Sequence, residues 1–279
     1  MEQSIFQYDF IIKGLLGAVF ASITAGLAGT YIVSRRMVFL SGGITHASFG
    51  GIGIGYFIGI NPVIGAAVFG ILSALGVEYL SVRHKIREDS AIGILWAFGM
   101  AIGIIFIYLT PGYSPNLMSY LFGSILTVSN ADIAALGIMS VVLILYFLIF
   151  YRAILYISFD ESYARTYSSY VDIFKYITTS LMALTIVLNI RMAGVVLVLS
   201  LMTIPPNIAM IFTRVYFRIV LWSVVAGFVG TAAGYIISYS AGIPVGATII
   251  FTLVIIWVIA KGISQVLIKM RGRDGVKKF

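Results

Sequence analysis

Apolar runs about twenty residues long follow one another along nearly the whole chain, separated by short charged breaks. A run of that length, wound as an α-helix, matches the ~30 Å hydrocarbon core of a bilayer, and a helix satisfies its own backbone polar groups where no water can. The runs fall near residues 11 to 33, 37 to 59, 63 to 81, 90 to 109, 132 to 150, 176 to 190, 194 to 213, 217 to 239 and 245 to 264. They predict an all-α integral membrane protein, a polytopic helical bundle of about nine transmembrane helices, with eight and ten as the bounds. The stretch 116 to 129 is too short to span and reads as an outer-side helix or re-entrant piece. Of 279 residues 61% are hydrophobic and 10% charged, so a separate catalytic domain has no room, and residues 1-279 are expected to form a single domain.

The net charge of +8 is a matter of sidedness before it is a hint of nucleic acid. If Arg35 and Arg36 face the cytoplasm, alternation of the spans puts 16 of the 18 basic residues on that side and leaves Lys13 and Arg191 outside. The bias predicts a multi-pass protein of a bacterial cytoplasmic (inner) membrane with its C-terminus inside and its N-terminus outside, in contact with lipid and with no nucleic-acid partner. The first ten residues hold Glu2 and Asp9 but no Lys or Arg, unlike the basic start of a cleavable signal, so the first helix is expected to be retained. Cysteine is absent, which removes disulfides, thiolate metal sites and cysteine nucleophiles.

Within the second run, Gly43, Ala47, Gly51, Gly55 and Gly59 recur every four residues and predict a smooth face for close helix packing. His46 lies on a neighbouring strip, between Gly42 and Gly50, about ten residues into the apolar stretch. An ionisable group at that depth needs a partner, a watered cavity or a ligand, and neutral imidazole is a common ligand of divalent transition metals. Two readings stand: a neutral histidine hydrogen-bonded to a neighbouring helix, or half of a metal site with oxygens from Thr45 and the carbonyls beside Gly42 and Gly50. In the seventh run Pro205 and Pro206, followed by Asn207, remove two backbone donors and predict a helix break, either a plain kink or the border of a transport pathway. Glu78 sits near the cytoplasmic end of the third run, where Arg83 is its expected partner.

The loop after the fifth run carries its own helix start. Ser158 and Glu161 have the spacing of a capping box, and Asp160 adds negative charge at the same end. Tyr163, Tyr167, Tyr170 and Phe174 then predict one aromatic stripe on a short helix that docks into a partner protein. No Lys follows a Gly, so no P-loop exists, and no H-E-x-x-H motif occurs; if ATP powers this chain, another chain hydrolyses it.

Five ordered blocks carry a resemblance: Arg36 to Gly51 (RMVFLSGGITHASFGG), Arg87 to Gly103 (REDSAIGILWAFGMAIG), Pro111 to Leu126 (PGYSPNLMSYLFGSIL), Ser158 to Arg165 (SFDESYAR) and Leu184 to Pro205 (LTIVLNIRMAGVVLVLSLMTIP). Together they resemble the permease subunits of bacterial zinc, manganese and iron ABC importers. The resemblance implies a type II importer-like bundle that is no enzyme itself. It would work as a homodimer on two cytoplasmic ATP-binding subunits, loaded from outside by a metal-binding solute-binding protein, with no tightly bound cofactor and a divalent metal ion as cargo. It implies that Asp160 to Ser168 is the coupling helix, with Asp160, Glu161, Ala164 and Arg165 matching, and that His46 faces the metal pathway with Thr45, Gly42 and Asn207. The family commonly has an Asp where this chain has Gly42, and often a Gly where it has Ser168. A haem, siderophore or cobalamin permease, and an ion-coupled secondary transporter, are the alternatives.

Overall fold

The structure, a computed structural model, describes residues 9–111, 128–167 and 170–276. Among these every regular element is an α-helix: α1 (Asp9–Ser34), α2 (Val38–Ile58), α3 (Pro62–His84), α4 (Glu88–Leu109), α5 (Asn130–Ile149), α6 (Tyr151–Phe159), α7 (Glu161–Tyr167), α8 (Val171–Phe212), α9 (Tyr216–Ala241) and α10 (Val245–Val276). The piece expected near 116 to 129 lies almost wholly outside the described residues. Seven helices, α1, α3, α4, α5, α8, α9 and α10, are long and apolar enough to cross a membrane. At 21 residues α2 is as long as they are, but its glycines, Thr45 and His46 dilute its apolarity.

At 42 residues, α8 is about twice the length that an ~30 Å core needs. Its neighbours on α1 show why. Asn189 donates to Thr24, Met192 lies against Gly17 nearer the start of α1, and Met202 is back at Gly29 near its end. The chain therefore reverses, and α8 is a hairpin of two spans. The reversal is at Gly194, with φ 77° and ψ 164°, a backbone region essentially reserved for glycine. With α2 and both arms of α8, nine rods cross the bundle among the described residues.

The break expected at Pro205 and Pro206 is not there; the second arm runs helically through both to Phe212. The carbonyls that lose donors lie one turn earlier, and that of Met202 packs directly on Gly29, where no side chain intervenes. Tight packing replaces the kink.

Small residues set the core. Ala18, Ala21, Ala25 and Ala28 repeat along one face of α1 and are buried, which lets α8 and α9 approach its backbone. The α2 stripe does the same for two partners: Gly43 meets Ile92 and Ala47 meets Gly99 on α4, while Gly51 meets the backbone of Gly65 on α3. Gly59 lies beyond the helix, as its left-handed C-cap. Local signals also place the ends: Asn61 accepts from the Val63 amide at 2.9 Å ahead of Pro62, and Ser129 with Asp132 forms a full capping box at α5.

Candidate functional site

Two places hold the chemistry that the apolar bundle lacks. The first is the outward side of α2. There His46 is partly buried and stacks on Trp96 of α4, with ring centroids 4.3 Å apart and planes 6° from parallel. Its Nδ1 is buried with no hydrogen-bond partner among the described residues. A polar nitrogen withdrawn from water and unpaired is costly, and the hydrogen bond to a neighbouring helix that the sequence allowed is not formed at Nδ1 among the described residues.

One turn away Gly42 leaves room: a Cβ there would meet only Leu199 of α8, at 4.0 Å. Thr45, expected beside His46, is buried, and its hydroxyl donates to the Ser41 carbonyl inside the bundle. It does not share the His46 surface, because consecutive helical residues point about 100° apart. Asn207 donates through Nδ2 to the Thr203 carbonyl at 2.8 Å, Thr203 Oγ1 donates to the Leu199 carbonyl at 2.7 Å, and Ser200 Oγ to the Val196 carbonyl at 3.1 Å. Both hydroxyls and one amide N–H of Asn207 are thus committed to the helix itself, which leaves oxygen lone pairs and the second Asn207 N–H for other partners. Among the described residues no group of three or more His, Asp or Glu side chains could hold a metal ion.

The second place is the end of the bundle where most of the basic residues gather. Asp160 breaks the helical path between α6 and α7 and caps α7, its Oδ1 accepting from the Tyr163 amide at 2.9 Å. The capping box expected from Ser158 and Glu161 is therefore not formed. Ser158 is still inside α6, where its hydroxyl donates to the Ile154 carbonyl at 2.6 Å, so the start signal moves two residues on. The aromatic stripe is also divided. Tyr163 packs edge-on to Tyr156, whereas Phe174 has passed into α8 and packs on Tyr146 and Phe150. A helical period carried across a chain break no longer describes one face. Ser168 lies outside the described residues. Of the rest of the expected coupling set, Ala164 faces inward against Ile157 and Val171, and Arg165 lies on the surface.

Glu161 also turns inward, into ion pairs that the sequence did not disclose. Its carboxylate is 3.2 Å from Arg35 and 3.0 Å from Lys175. Both cations also face Glu78, at 3.8 and 3.3 Å, and Thr179 donates to Glu78 at 3.0 Å. The side chains of Arg35, Glu78 and Lys175 are 8%, 2% and 5% exposed. Glu78 thus pairs with Arg35 and Lys175 and not with Arg83, because α3 lies against α8 and faces the end of α1. Arg165 closes the outer side on Glu161 at 2.9 Å and Asp172 at 2.6 Å. Burial alone would push the Glu161 carboxyl up, but hydrogen bonds from Lys175 and Arg165 and the charges of Lys175 and Arg35 hold it below its ordinary range. The only sequence signal for this cluster was that Glu78 and Lys175 are charges at the edges of apolar runs.

Comparison with known proteins places the chain in a family. Residues 7–263 match the family model described as the ABC 3 transport family. The chain is 36% identical over 245 residues to a probable metal transport system membrane protein of Chlamydia pneumoniae, covering 86% of this chain and 84% of that one. It is 31% identical over 258 residues to the manganese transport system membrane protein MntC of Listeria monocytogenes, covering 92% of each. Among solved structures, PsaBC from Streptococcus pneumoniae in complex with Fab superimposes with a TM-score of 0.81 at 28% identity, over 92% of each chain.

Proposed function

The chain belongs to the ABC 3 transport family, and on that footing we propose that it is the membrane-spanning permease subunit of an ATP-binding cassette importer whose cargo is a divalent metal ion. Relatives named for metal and manganese transport favour manganese among the candidates, with zinc and iron as the further members of the class. The observation within the molecule that carries this reading is His46: an imidazole in a membrane helix, stacked on Trp96, with one nitrogen buried and unpaired among the described residues. Imidazole with neutral oxygens suits a borderline divalent cation, and suits neither an anion nor an apolar cargo.

One histidine cannot complete a coordination sphere. In the proposed homodimer the face of α2 and the second arm of α8 meet their copies, so His46, the space at Gly42 and the oxygens of Thr203 and Asn207 are presented twice around a shared path. Thr45 takes no part. Pro205 and Pro206 sit in a continuous helix, Pro205 beside Gly227 of α9, and do not act as a hinge. The cargo is held in passing by few ligands, which suits release as much as capture.

In the same reading the basic end is cytoplasmic, as the distribution of Arg and Lys favours, and α7 is the docking helix for a separate ATPase subunit. Asp160, which caps it, and Ser162, Tyr163, Arg165 and Thr166 are exposed and form the docking surface, while Glu161 and Ala164 bind α7 to the permease. A metal-binding solute-binding protein delivers the ion at the opposite end. The direct test is His46→Ala. ATP-dependent metal uptake should fall at least about tenfold while the permease still assembles with its ATPase subunit. Unchanged uptake would remove His46 from the path.

A further inference from the structure

We infer that Glu78, Arg35, Glu161 and Lys175 form the joint that passes displacement of α7 into the membrane helices; this rests on reading α7 as the ATPase-docking helix. The four charges alternate in a closed ring. Each carboxylate faces both cations and each cation faces both carboxylates, at 3.0 to 3.8 Å. Each comes from a different segment: Glu161 from α7, Glu78 from α3, Arg35 from the turn directly after α1, and Lys175 from the first turns of α8.

The ring is neutral as a set and not in parts. If α7 carried Glu161 away alone, Arg35 and Lys175, both almost fully enclosed, would be left sharing the single carboxylate of Glu78. An uncompensated cation in that setting is strongly disfavoured, so α7 and the ends of α1 and α8 move together or not at all. Two further contacts extend the linkage toward the metal path. Gly70, two turns before Glu78 on α3, leaves space occupied by Ser48 of α2, two residues beyond His46; the next α3 turn back puts Gly65 against Gly51. Close-packed backbones of this kind transmit rigid shifts and absorb little. Arg35, Glu78 and Lys175 are positioning residues on this account: none needs to touch cargo or ATPase.

The ring makes a prediction that an ATPase-contact role for Glu161 does not. Glu161→Gln and Lys175→Gln should each leave one unbalanced buried charge, whereas the double variant is neutral again, with Glu78 facing Arg35. The four permeases, wild type included, are purified with their ATPase subunits and compared for thermal stability, co-purification and ATP-dependent metal uptake. Each single variant should lose stability and lower uptake about tenfold, and the double variant should recover most of both. Where a single variant does not assemble, recovered assembly of the double supports the ring equally. Singles indistinguishable from wild type, or a double no better than its parents, would overturn it. If the wild type itself takes up no metal, the functional reading fails, while the stability comparison still decides the ring.

Discussion

Glycine 42 stands one helical turn before His46, and the space beside it is open to a side chain. A Cβ at this buried position would meet only Leu199, at 4.0 Å. Gly42→Asp should therefore assemble normally and set a carboxylate one turn from His46, a spacing at which helical side chains meet. The expected outcome is tighter metal binding by the purified permease, read by metal titration, with binding lost again in Gly42→Asp/His46→Ala. Binding by that double variant equal to Gly42→Asp alone would separate the two positions. His46 was legible in the sequence because a lone titratable group in an apolar run stands out. That Thr45 turns away from it was not, since the direction of a helical side chain depends on which neighbours α2 acquires.

At the scale of elements, boundaries were legible where capping chemistry is local and illegible where packing decides. The nine apolar runs correspond to nine rods, but the prolines that marked the expected break lie in a continuous helix, while Gly194, one of 29 glycines, makes the turn. Gly194→Val should cost roughly 1–3 kcal/mol at a φ of 77°, by forcing a branched side chain into a backbone region that excludes it. The check is a lower midpoint of thermal unfolding, against a small effect for Pro205→Ala, which restores a donor to a helix that already exists. For α7, Glu161 has a folded pKa below its ordinary value of ~4.3, so its pairs stabilise the fold above that pH and are lost as pH falls through the lower native value. The stability difference between wild type and Glu161→Gln should be full at pH 6 and shrink on acidification below the ordinary carboxylate range. A difference that grows there would contradict the ring of charges around it.

For the molecule as a whole, the membrane bundle followed from the spacing of apolar runs, and the separation of charge into one end followed from counting Arg and Lys. The closed ring did not, because Arg35, Glu78, Glu161 and Lys175 are up to 140 positions apart and meet only once α1, α3 and α8 have packed. The proposed reading divides the labour: a sparse metal-facing surface in the membrane, a docking helix at the basic end, and a charged joint between. The measurement that tests this most directly is uptake of a divalent metal into liposomes holding the permease with its ATPase and solute-binding partners, with and without ATP, and with a metal chelate as competitor. The account predicts ATP-dependent accumulation of the free ion that the chelate does not displace as cargo; accumulation independent of ATP, or of the chelate alone, would contradict it.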